Sequence, residues 1–116
     1  MNNIKKILIV DDEAIQRFAL KTSLQSLGYL VSEAKNGLEG AARAILENPD
    51  LIITDNDMPK MKGKKMSQQL KNVISTSKIP IIGYGGFKEK EIYNLDYNYD
   101  KSQESQVLNL VEDLLG

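Results

Sequence analysis

The sequence predicts an α/β fold, a five-stranded parallel sheet with helices on both faces. Three observations carry that prediction. Short apolar runs alternate with stretches of helical periodicity five times along the chain. The runs Ile7-Leu8-Ile9-Val10 and Leu51-Ile52-Ile53 lack polar alternation, as strands covered on both sides do. Gly28, Asn48-Pro49 and Gly85-Gly86 punctuate the pattern where helices stop or the chain turns.

The first strand is expected from Ile4 to Val10. From Glu13 the period changes. Leu20, Leu24 and Leu27 recur at helical spacing, and Gly28 suits the left-handed position after a helix. A second strand runs from Tyr29 to about Ala34. Asn36, with Glu39 three residues on, reads as the cap of a second helix whose inner face is Leu38, Ala41, Ala42 and Ile45. Asn48-Pro49 ends it.

Leu51 to Asp55 is the third strand, and the loop Asn56 to Lys62 leads to Gly63 at the start of a third helix. Met66, Leu70, Val73 and Ile74 give that helix its apolar side. Ile79 to Ile82 is the fourth strand, and about Lys88 to Asn94 a short helix. Tyr97 to Asp100 is the fifth strand. Ser102 caps a last helix with Val107, Leu110, Val111 and Leu114 inward. Right-handed crossovers and five strands favour the flavodoxin-like doubly wound (βα)5 order 2-1-3-4-5.

The 116 residues suit one domain, and 41% hydrophobic content supplies a core without metal or disulfide staples. The chain has no Cys and no His, which excludes thiol chemistry, Cys-based zinc and an imidazole base. A net charge of −1 gives no electrostatic footprint for nucleic acid. Lys60, Lys62, Lys64 and Lys65 form a basic cluster that reads first as a solvated loop and helix face. No run approaches the ~18 apolar residues of a membrane helix, and no signal peptide is visible, so a soluble cytoplasmic protein is expected.

The acids are the informative feature. The first strand runs directly into Asp11-Asp12, and the third into Asp55, with Asp57 two residues on. In the predicted order, strands 1 and 3 are neighbours, and their carboxyl ends form the crevice where such sheets bind ligands. Carboxylates crowded there repel one another and imply a hard cation, most naturally Mg²⁺.

With these residues placed, the chain resembles the receiver domain of two-component response regulators, over residues 1–116. The resemblance rests on Ile7 to Glu13, on Pro49 to Pro59 with Gly63 after it, and on Lys101 beyond the fifth strand. It implies phosphoryl transfer from the phosphohistidine of a sensor histidine kinase, or from a phosphotransfer protein, onto Asp55. It also implies Mg²⁺ held directly by Asp12 and by Asp55, through water by Asp11, and by the backbone carbonyl of Asp57. Lys101 would contact a phosphoryl oxygen. Output would pass to a further protein by surface contact, with no role for nucleic acid or membrane. The donor histidine belongs to the partner, so the missing His is consistent.

Two switch positions depart from the family pattern. Gly85 stands where a Ser or Thr hydroxyl is usual, and Asn98 where an aromatic is usual. Ser102 replaces the proline that commonly follows the lysine, and the stretch from Gly85 to Lys101 is short. These changes leave a second reading, a pseudo-receiver used as an interaction module independent of phosphorylation. An enzyme reading rests on Asp55-Asn56-Asp57, which resembles the Asp-x-Asp of aspartate-nucleophile phosphatases. Pro59 stands where that family needs Thr.

Overall fold

The computed structural model describes residues 3–116. Strands β1 (Lys6–Val10), β2 (Leu30–Ala34), β3 (Leu51–Thr54), β4 (Ile81–Tyr84) and β5 (Tyr97–Tyr99) form one sheet in the order β2-β1-β3-β4-β5. All four strand pairings are parallel. Helices α1 (Ala14–Ser26), α2 (Gly37–Glu47), α3 (Gly63–Lys71) and α4 (Glu104–Leu115) cover it.

Alternation along the central strands divides the core into two layers. Ile7, Ile9, Ile53 and Ile82 pack with Leu20 and Leu24 of α1 and with Val107 and Val111 of α4. Leu8, Val10, Ile52 and Ile81 pack on the other face with Ala41 and Ala44 of α2 and with Met66 and Leu70 of α3. Each buried Leu, Ile, Val or Met side chain here contributes roughly 1.5–3 kcal/mol by leaving water, and each Ala methyl less.

Three elements differ from expectation. First, α2 turns a different face inward. Gly37, Gly40, Ala41 and Ala44 are buried, while Leu38 and Ile45 are half exposed. Small residues let the helix sit close to the sheet: a Cβ on Gly40 would lie 2.7 Å from Met66 Sδ and 2.9 Å from Val10 Cγ2. Close backbone approach decided the face, against the pull of the larger side chains.

Second, α3 ends at Lys71, so Ile74 lies in the following turns and is 94% exposed. Thr76 Oγ1 donates to the Leu70 carbonyl at 2.6 Å, closing the helix end with a side chain. Third, the expected helix between β4 and β5 is a single 3₁₀ turn, Glu89–Glu91. The fourth crossover element of the (βα)5 pattern is thus vestigial.

The expected caps divide likewise. Asn36 Oδ1 accepts from Glu39 N at 2.8 Å, as the sequence implies for α2. Ser102 does not cap α4, whose preceding residue is Gln103. Instead the Ser102 amide donates to Asp100 Oδ1 at 2.9 Å, forming a turn.

Candidate functional site

The sheet register sets the site. Val10 pairs with Thr54, so Asp11 and Asp55 are the next residues of two adjacent strands. The Asp55 amide donates to the Val10 carbonyl at 2.9 Å, and the Asp11 amide to Ala34 at 3.1 Å. Carboxylate oxygens of Asp11, Asp12 and Asp55 all lie within 4.8 Å of one another. Asp11 and Asp55 are buried and Asp12 is exposed.

The two buried acids are each held by specific donors. Asp11 Oδ1 accepts from the Glu13 amide at 2.9 Å, so it also ties down the start of α1. Asp11 Oδ2 lies 2.6 Å from Lys101 Nζ. Asp55 Oδ1 accepts from the Asn56 amide at 2.8 Å. Burial pushes the Asp55 carboxyl up to about 6, against the Asn56 hydrogen bond. The Asp11 and Asp12 charges add to the rise, and the Lys101 charge opposes it. Removal of a carboxylate from water beside two others leaves negative charge that the chain only partly offsets.

That imbalance tests the fit to a cation. The donor set is all oxygen, converges from two strand ends and carries uncompensated charge, which suits a hard divalent ion such as Mg²⁺. Asp57 stands apart from the three. Its side chain is 67% exposed and pairs with Lys62 at 3.6 Å.

Asn56 is a residue that pattern reading missed. Fully buried between two aspartates, it fastens three segments together. Its Oδ1 accepts from the Lys64 amide at 2.8 Å, at the start of α3. Its Nδ2 donates to the Gly86 carbonyl at 3.1 Å, and its own amide to Gly85 at 3.2 Å. An amide side chain offers both a donor and an acceptor, which neither flanking carboxylate does.

The two departures from the family pattern have structural counterparts. Gly85 has φ of +100° and Gly86 of +79°, conformations that L side chains rarely adopt. The space beside Gly85 is filled by the Lys101 stem: a Cβ there would lie 2.7 Å from Lys101 Cε. A Cβ on Gly86 would meet Asp57 Oδ2 at 2.8 Å and Asp55 Oδ1 at 3.1 Å. Asn98 pairs in register with Gly83, and its Oδ1 would lie 2.9 Å from a Cβ at Gly83. Tyr84 points into the layer shared with α1 and α4, and its hydroxyl donates to the Lys101 carbonyl at 3.3 Å. Every described peptide bond is trans, that before Ser102 included.

A parallel five-stranded sheet in this order, carrying three clustered acids at its carboxyl edge, defines a flavodoxin-like α/β fold with an acidic site. The model of the response regulator receiver domain matches residues 7–97, and the chain belongs to that family of two-component systems. Protein PilH of Pseudomonas aeruginosa is 39% identical over 66% of this chain and 64% of its own length. Sensor protein EvgS of Escherichia coli K12 is 39% identical over 66% of this chain and 6% of its own. The chain thus spans under two thirds of these curated relatives.

Among solved structures, the response regulator TrrA of Thermotoga maritima, in complex with Mg²⁺-BeF, superposes with a TM-score of 0.88 at 29% identity. That match covers 97% of this chain and all of TrrA. The receiver domain of a signal transduction histidine kinase from Syntrophus aciditrophicus gives 0.86 at 30% identity, over 96% of this chain and 89% of that one. Among the described residues no helix is long and apolar enough to cross a membrane.

Proposed function

We propose that the chain is a single receiver domain that accepts a phosphoryl group on Asp55 and signals by protein contact. The observation that carries this reading is the convergence of Asp11, Asp12 and Asp55 within 4.8 Å, with Lys101 at their edge. An Asp55 carboxylate oxygen attacks phosphorus in line. The new O–P bond forms as the P–N bond to the partner's histidine breaks, and that electron pair returns to the imidazole.

Asp12, Asp55 and the Asp57 carbonyl would hold Mg²⁺, with Asp11 reaching it through water. When bound, the ion offsets the negative charge of acceptor and phosphoryl oxygens. Lys101 leaves Asp11 to contact a phosphoryl oxygen, a task that suits an ammonium group on a flexible stem. Asn56 holds the loops on both sides of Asp55 in place. The donor is a sensor histidine kinase or phosphotransfer protein. The chain's own chemistry is limited to forming and losing its aspartyl phosphate, so in this reading it is a signalling module and not a turnover enzyme, placed in the cytoplasm with its kinase partner.

Incubation with acetyl phosphate and Mg²⁺ should add one phosphoryl group to the intact mass, and Asp55→Asn should abolish it. An unmodified wild type, given a competent kinase as well, would establish the pseudo-receiver reading. Specific observations favour that second reading. Lys101 fills the space beside Gly85, no hydroxyl stands there, and the fourth crossover is one 3₁₀ turn.

A further inference from the structure

Two chain segments outside the acid site build the walls of one cationic groove. Lys64, Gln68 and Asn72 recur every fourth residue along α3 and its C-cap, which places them on one stripe. That stripe faces Lys90, Tyr93 and Asn94 across a depression. Its continuation is bordered by Lys64, Lys88 and Lys90, together with Glu89 and Glu91. A third depression, at the start of α3, adds Lys60, Lys62 and Lys65. Lys64 borders all three.

The groove is open because the crossover between β4 and β5 is so short. At ~2 Å of rise per residue, a single three-residue 3₁₀ turn spans only about 6 Å. Three residues of it, Glu89–Glu91, leave the α3 stripe uncovered where a longer helix would pack.

The charge is predominantly positive: lysines border all three depressions, and acids only the one with Glu89 and Glu91. Among the described residues, Lys60, Lys64, Lys65, Lys88 and Lys90 make no ion pair. Of the nearby acids, Asp57 pairs with Lys62 at 3.6 Å and Glu91 Oε1 accepts from the Lys88 amide at 3.1 Å, which leaves Glu89 as the one acid on the walls without a partner among the described residues. A chain of net charge −1 thus concentrates free positive charge on this flank.

We infer that this groove docks an acidic segment of a partner protein. The lysines supply point charges for carboxylates. Gln68, Asn72 and Asn94 supply amide donors and acceptors for a peptide backbone. Tyr93, 91% exposed, is an aromatic surface for an apolar residue of the same segment. Peptide is favoured over nucleic acid because the walls carry no arginine, whose fork is the better match to backbone phosphates. The inference rests on groove charge and composition and is independent of phosphate on Asp55.

The test is a heteronuclear NMR titration of the full chain with a short peptide alternating glutamate and leucine. Amide shifts should move at Gln68, Asn72, Tyr93 and Asn94. Lys64→Glu with Lys90→Glu should weaken binding at least about fivefold. Lys35→Glu with Lys78→Glu, equal in charge but elsewhere, should change it less than about twofold. Circular dichroism checks that both variants fold. No groove shifts up to about 1 mM peptide, or equal weakening by both pairs, would overturn the inference. A duplex DNA that displaces the peptide at matched charge and gives the same shifts would replace it with a polyanion site.

Discussion

Lys101 Nζ and Asp11 Oδ2 lie 2.6 Å apart, an ion pair that joins the segment after β5 to the end of β1 across 90 residues. Asp11 is 5% exposed and shares its cleft with two other carboxylates. Lys101 is therefore its principal counter-charge among the described residues. The same pair keeps the ammonium group beside the acid cluster, where an incoming phosphoryl group would compete for it.

Removal of the lysine should expose that dependence. Lys101→Met leaves a buried carboxylate without its partner and should destabilise the protein by about 1–3 kcal/mol without metal. Saturating Mg²⁺ should narrow the gap, because a cation replaces the missing charge. Urea unfolding of both proteins with and without Mg²⁺ measures it, and a gap that Mg²⁺ leaves untouched would refute the shared role.

Mg²⁺ affinity should fall by at least about tenfold in Asp12→Ala, since each hard carboxylate ligand matters in an all-oxygen site. Asp12 is exposed, so the substitution should leave the fold intact. An NMR titration that returns the same affinity in both proteins would remove Asp12 from the ligand set.

Asp55 should oppose folding near neutral pH. Its carboxyl titrates at about 6 in the folded chain and lower when unfolded. Above pH 6 the group is ionised in both states, and the fold bears a buried charge. As pH falls through 6 the folded state binds a proton first, so this term favours folding more at lower pH. Asp55→Asn should therefore raise the melting temperature of the metal-free protein by several degrees at pH 7.5, and by much less at pH 4.5. Calorimetry at the two values distinguishes them; a shift independent of pH would contradict the assignment.

Gly85→Thr should not restore a switch hydroxyl. At φ of +100° a β-branched residue is strained, and its Cβ would strike the Lys101 stem. The variant should lose about 2 kcal/mol or more, and any phospho-Asp55 should decay no more slowly than in wild type. Phosphoprotein lifetime, measured beside thermal stability, tests both halves.

Asn56→Ala removes a buried side chain that fastens α3 to the Gly85-Gly86 turn. A loss of roughly 2–3 kcal/mol is expected, because the Lys64 amide and the Gly86 carbonyl lose their partner. Hydrogen exchange should quicken at Lys64 before it quickens in β1; uniform acceleration across the chain would point instead to global destabilisation alone.

Much of this protein was written locally. The order of strands and helices follows from apolar runs and their period, and the sheet order from the rules of parallel crossovers. The acid cluster follows too: two apolar runs end in aspartate, and neighbouring parallel strands bring their ends level. Other features arose only in three dimensions. The inward face of α2 was set by how closely a backbone can approach Met66 and Val10, a property of the assembled layer. The sign of φ at Gly85 was open, since glycine accepts both and the turn chose one. Lys101 found Asp11, and Asn56 its two loops, through contacts among segments distant in sequence. Hydrophobic periodicity reports where a chain is buried, and it carries no record of which polar groups meet once burial has brought their segments together.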